Sequence, residues 1–236
     1  GMTTGENPNP PATAAQRATD IAFFRQGIAY AASLGITSMH NMDGNWYQLE
    51  LLQEMLDRGE LNARVEIPFH QKNYFELSRV DEAVDMRAAY NGDMLHCHRV
   101  KIFIDGVLET LTALMIDDYP GHPGNKGAPL FTAADFDALV TRADRHGFQI
   151  STHAIGDGAI RRTLDGYAAA QKANGRRDSR HRIEHIELID PADIPRLKEL
   201  GVIASLQPVS APTVPGNPLE PILTRVGDKL PYAYAW

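Results

Sequence analysis

Cysteine is almost absent: Cys97 stands alone in 236 residues. One thiol excludes an internal disulfide, a CxxC redox pair and a cysteine-rich zinc site. It fits a reducing compartment, and the cytoplasm is the expected location. No apolar run approaches the roughly 18 residues of a membrane-spanning helix, so no membrane partner is expected. No basic segment leads into an apolar stretch, so no signal peptide is visible. Basic charge is also scarce, with 23 Lys and Arg against 30 Asp and Glu and a net charge of −7. Such a balance argues against nonspecific nucleic-acid binding. No GxGxxG or GK[ST] turn follows any apolar run, which weakens a nucleotide-binding sheet.

What is present suits one large α/β domain. Hydrophobic residues make up 43%, enough for a sizeable core, and single α/β barrels reach this length. Gly1 before Met2 reads as a tag scar, and residues 1–14 as a flexible lead-in rich in Thr, Asn, Pro and Ala. Residues 15–236 then read as one domain. A helix is expected over Ala14–Leu34, stopped by Gly35, followed by the strand GITSMH and a helix over Trp46–Arg58. ARVEIPFH is the next strand, then a helix over Tyr74–Tyr90, then the strand HRVKIFIDG. A long loop from Val107 to Phe131 precedes a helix opened by Thr132 and Asp135, which resemble a capping box. The strand FQISTHAIGD, a helix to Asn174 and the strand HRIEHIELI follow. Asp190 and Pro191 suit a helix cap and first position, and GVIASLQP is the sixth strand.

Short, nearly continuous apolar strands alternating with helices indicate a parallel sheet covered by helices. A doubly wound sheet and a barrel both satisfy that pattern. Polar residues gather at strand C-terminal ends: His40, His70, Asp105, His153 and Gln207. A barrel builds its active site at that face, and the long loop would cover its mouth as a lid.

Lys101 is the sharpest anomaly. By strand alternation Lys101, Phe103 and Asp105 share one face, and Ile102 and Ile104 the other. An inward lysine is costly unless paired or chemically altered. A structural salt bridge, a carbamylated lysine bridging metals and a Schiff-base lysine of lowered pKa all remain open. His153 and His185 end neighbouring strands, and two imidazoles at one height can share a divalent metal, zinc above all. Asp157, just past His153, suits a helix-capping role. His96 and His98 look like a metal pair but fall at the start of their strand, the wrong end for barrel chemistry. His122 and His146 read as solvated, and His181 as structural.

VKIFIDGVLETLTALM, HAIGDGAI, RIEHIELI and SLQP, in this order, resemble the amidohydrolase superfamily. The nearest branch is the amidohydrolase-3-like group that includes N-substituted formamide deformylases. LGITSMHNMDG resembles that branch's second barrel strand, and the resemblance covers about residues 20–236. It implies a TIM-type (β/α) barrel, incomplete here, carrying strands 2 to 7 of eight. It also implies a metal-dependent hydrolase of a non-peptide C–N bond in an amide, formamide or cyclic amide. Carried over by motif, Lys101 falls on strand 4, His153 on strand 5 and His185 on strand 6, as ligands of one or two divalent ions, zinc by expectation. Lys101 and Asp105 are the catalytic candidates; His40, His70, Glu109 and Gln207 are candidates for contact with a small amide-type substrate. The family's strand 1 HxH and strand 8 aspartate find no counterpart, so this chain reads as a truncated, inactive part that self-associates through open sheet edges. A Schiff-base lyase built on Lys101 and a non-catalytic α/β module are the alternatives.

Overall fold

The computed structural model describes residues 11–212 and 220–234. The expected lead-in falls mainly on residues 1–10, which lie outside the described residues. Elements alternate along the chain: α1 (Ala14–Ser33), β1 (Ser38–His40), α2 (Trp46–Asp57), β2 (Arg64–Glu66), β3 (Phe69–Gln71), α3 (Glu82–Ala89), β4 (Leu95–His96) and β5 (Arg99–Phe103). The second half adds α4 (Ala133–Arg145), β6 (Gln149–Ala154), α5 (Asp157–Asn174), β7 (Arg182–His185), α6 (Ile194–Leu200), β8 (Ile203–Leu206) and α7 (Ile222–Val226). The strands form a three-stranded sheet in the order β1-β2-β4 and a five-stranded sheet in the order β3-β5-β6-β7-β8. Pairing is parallel from β1 through β2 to β4 and from β6 through β7 to β8. Among the described residues, no helix is long and apolar enough to cross a membrane.

The chain divides into two compact units, Gly1–His70 with Asp81–Lys101, and Gln71–Val80 with Ile102–Trp236. In the first, Thr13 starts α1 through a reciprocal cap with Gln16, which satisfies two otherwise orphaned backbone donors. Gly35 ends the connection at φ 77°, a left-handed conformation that a side chain resists. Asn45 caps α2, whose Leu49, Leu52 and Met55 are buried.

In the second unit, α4 buries Phe136, Leu139, Val140 and Ala143, and α5 buries Ile160, Thr163, Leu164 and Tyr167. Both sets follow the i, i+3, i+4, i+7 spacing of one helix face. The Tyr167 hydroxyl lies 2.8 Å from the Thr152 hydroxyl and donates to the Arg182 carbonyl at 2.9 Å, pinning α5 across β6 and β7. His181 is structural, as its place at a strand start suggests. Its Nδ1 accepts from the Ile150 amide at 3.1 Å, and its Nε2 lies 3.1 Å from Asp144 Oδ1.

Several expected elements are redrawn. ARVEIPFH is two strands, because Pro68 brings no N–H to a ladder and the Ile67 amide donates to the His96 carbonyl. The expected helix from Tyr74 begins as α3 only at Glu82. Leu95–His96 is a separate strand of the three-stranded sheet, so His96 does not open the Lys101 strand. Asp157 is the first residue of α5 and Gly156 is the cap. Thr132 caps α4, and Asp190 caps the turn that opens α6, as their sequence signals indicate.

Candidate active site

In the second unit, β6 and β7 bring His153 and His185 to the same end of the sheet. Their rings stand 4.5 Å apart, edge to face at 69°. Phe103 stacks on His153 from the other side at 4.7 Å and 25°. His153 is 8% exposed, so its ring is held mostly by protein. The register sets His153 opposite Glu184, and His185 opposite Ala154. Simple alternation would therefore turn the two rings to opposite faces. The backbone resolves this: φ is 77° at His185 and 54° at Ile186. Positive φ at a β-branched residue is strained and recurs at functional sites. Here it is held by the Ile186 amide, which donates to the carbonyls of Ala154 and Glu184.

Each imidazole is oriented by a neutral oxygen. His153 Nε2 donates to the Gly106 carbonyl at 3.0 Å, and His185 Nδ1 donates to Gln207 Oε1 at 2.7 Å. These bonds fix the orientation of both rings, as the outer partners of metal-binding histidines do. The donor chemistry fits a divalent ion in part. Two nitrogens are supplied, but among the described residues no group of three or more His, Cys, Asp or Glu forms a ligand set. A catalytic zinc ordinarily takes three protein ligands.

Asp105 sits beside this pair, with Oδ1 3.5 Å from His153 Nε2. Its carboxylate also accepts from the amides of Leu114 at 2.9 Å, Ile155 at 3.1 Å and Gly156 at 3.0 Å. Burial pushes its pKa up to about 7, against the opposing pull of those amides. Asp105 therefore clamps the start of the long loop and the β6–α5 turn to the end of β5. The clamp requires Gly156, where an added Cβ would lie 2.1 Å from the Leu114 carbonyl oxygen.

The loop from Val107 to Phe131 is fastened rather than free to swing. Leu108, Ala113, Met115 and Tyr119 are buried with Ile155, Leu188, Ile222 and Val226 in one apolar cluster. Asp157 accepts from the Ile116 amide at 2.9 Å and from Lys229 Nζ at 2.6 Å. Its role is thus to anchor the loop and α7's flank, beyond the helix-end role expected of it. Glu109 is exposed on this loop. It lines a cleft of about 370 Å³ with Glu187, which sequence reasoning missed although it lies two residues past His185.

The remaining candidates lie in the first unit. Lys101 is 1% exposed within β5. Arg99 Nη1 donates to His40 Nδ1 at 3.0 Å, Arg99 pairs with Glu66 at 2.8 Å, and His40 Nε2 lies 3.6 Å from Glu66. His70 Nδ1 donates to Asp43 at 2.7 Å. His96 and His98 stack at 4.7 Å, with His96 Nδ1 on the Gly92 carbonyl at 3.2 Å. Cys97 is buried and its thiol is pushed up to about 12 by burial, which removes it as a nucleophile.

Known proteins share this arrangement of chain. A metal-dependent hydrolase of Pyrococcus furiosus, described as uncharacterized, superposes with a TM-score of 0.76 at 26% identity, over 92% of this chain and 43% of its own. A similarly described hydrolase from Pyrococcus horikoshii OT3 has the same fold, with a TM-score of 0.75 at 23% identity over 94% and 42%. Protein LONG AFTER FAR-RED 3 of Arabidopsis thaliana is 38% identical over 116 residues, 49% of this chain and 20% of that protein. The chain thus spans less than half the length of each of these relatives. The parallel α/β architecture is that of the TIM-type barrel of such hydrolases, of which this chain carries part. The family of amidohydrolases matches residues 4–229, nearly the whole sequence, and the chain belongs to the amidohydrolase family.

Proposed function

We propose that this chain is the central part of a metal-dependent hydrolase that cleaves a non-peptide C–N bond in an amide, formamide or cyclic amide. The observation that carries the reading is the His153–His185 pair, whose rings meet at one end of the sheet and are oriented by the Gly106 carbonyl and the Gln207 amide. Family membership and the metal-dependent hydrolases that share the fold support it. A divalent ion, zinc in this proposal, supplies Lewis acidity and a water of lowered pKa when bound. His153 and His185 would hold it, and a carbamylated Lys101 would add an oxygen ligand.

The chain's own residues do the rest. Gln207 fixes the tautomer of His185, and the Gly106 carbonyl that of His153. Phe103 covers one face of His153 and excludes water there. Asp105 holds the strand ends that carry these groups. In the full-length protein, turnover of a simple formamide should be lost on chelation and regained with zinc, and His185→Ala should abolish the recovery. Unchanged turnover in that variant would refute the reading. The buried Lys101 supports a second reading, a Schiff-base enzyme; borohydride trapping of a carbonyl substrate on Lys101, without metal, would select it.

A further inference from the structure

Past β5 the chain enters the long loop through a tight turn, Gly106 to Thr112. Backbone bonds close it: the Gly106 amide donates to the Thr112 carbonyl, and the Thr112 and Ala113 amides donate to the Val107 carbonyl, each at 3.1 Å. Leu111, near the tip, is left-handed at φ 61°, a cost that a turn free to relax would shed. One further bond comes from a side chain. The Val107 amide donates to Thr112 Oγ1 at 3.0 Å, and Thr110 Oγ1 lies 2.9 Å from the same oxygen. Gly106 packs directly on that hydroxyl, since an added Cβ would lie 2.1 Å from Thr112 Oγ1. Thr112 is exposed, so burial does not account for a threonine there.

The Val107 N–H and the Gly106 carbonyl belong to one peptide unit, which is planar and trans. Fixing the N–H therefore fixes the direction of the carbonyl. That carbonyl accepts from His153 Nε2 at 3.0 Å, on the ring that meets His185 edge to face. Glycine leaves the dihedrals beside this unit freer than any other residue does, so the plane needs an external hold. We infer that Thr112 is a positioning residue: its hydroxyl holds the Gly106–Val107 peptide plane, and through that plane the His153 ring. Its bearing on catalysis rests on the hydrolase reading, in which His153 is a metal ligand; the mechanical link does not.

The test follows two protons of the full chain by NMR hydrogen exchange, the Val107 amide and the His153 ring Nε2–H. Thr112→Val removes the acceptor and keeps the shape, and the backbone bonds of the turn remain. Both protons should exchange about ten-fold faster in that variant. Thr112→Ser restores the hydroxyl and should return both to within about two-fold of the parent. A purely structural threonine would free the Val107 amide and leave His153 protected, and that result overturns the proposal. Failure of serine to rescue, or a His153 ring proton unprotected in the parent, overturns it too. If Thr112→Val loses its near-ultraviolet dichroism, Thr112→Ala decides by the same comparison. Isothermal titration with zinc reports on the hydrolase reading separately. Where the parent binds zinc, Thr112→Val should weaken the binding about ten-fold. A parent that binds none, with the two exchange rates still coupled, removes the hydrolase reading and leaves the link standing.

Discussion

In the first unit His40 lies between Arg99 and Glu66, and His70 lies against Asp43. In the second, His153 and His185 face a backbone carbonyl and a side-chain amide. All four histidines end or border strands, so strand position alone does not separate them. Their partners do. His70 donates to a carboxylate, and His40 Nδ1 spends its lone pair accepting from a guanidinium. A neutral acceptor orients a ring without setting a charge against it. The first unit thus holds His40 and His70 within charge networks, whereas in the second two rings meet edge to face, each bonded to a neutral oxygen.

The buried carboxylates sharpen the same contrast. Glu66 is matched by the Arg99 guanidinium, with both side chains almost fully buried. Asp105 is matched by three backbone amides. Arg99→Ala strands Glu66 without its counter-charge and should destabilise the chain by roughly 3–5 kcal/mol. Urea denaturation measures this, and a loss under about 1 kcal/mol would mean that the pair is not a buried charge network.

Asp105 should give a pH signature. Its folded pKa is about 7 against an ordinary 3.8. Between those values the folded chain keeps a proton that the unfolded chain has released, so stability falls as pH rises through that window. Urea unfolding should show the chain less stable at pH 8 than at pH 5 by roughly 2–3 kcal/mol from this group. Asp105→Asn should flatten that slope, and an unaltered slope would assign it to another residue.

The smallest effect concerns the orientation of His185. Gln207→Leu removes the acceptor that orients His185 and should weaken zinc binding roughly ten-fold. Isothermal titration with zinc measures it. The matching change in the first unit, Asp43→Ala beside His70, should leave zinc binding untouched.

Much of the site was legible along the chain, though unevenly. Lys101 was marked by its place between apolar residues, and its burial follows from that pattern. His153 follows the same logic, with a polar residue closing an apolar strand. Thr132, Asp190 and Pro191 announced helix starts through local hydrogen-bonding chemistry, which a sequence carries intact. The split at Pro68 was missed, although a residue without an N–H rarely sits inside a paired strand. The two-residue strand at Leu95–His96 was not legible, because its pairing partner, β2, lies about thirty residues earlier. Glu187 escaped because a glutamate after a strand ordinarily reads as solvated, and nothing local marks its burial.

The sequence by itself determined the alternation of helix and strand, the helix caps and stops, the absence of a disulfide, and the candidate ligands His153 and His185. These rest on periodicity, backbone chemistry and composition, which need no long-range contact. The tertiary structure decided which histidines face neutral oxygens and which face charges. It also decided that His185, out of step with His153 in register, nonetheless meets it through a left-handed turn. Side-chain direction at a strand end depends on one or two dihedrals, and those are set by the hydrogen bonds of neighbouring strands rather than by the residues themselves.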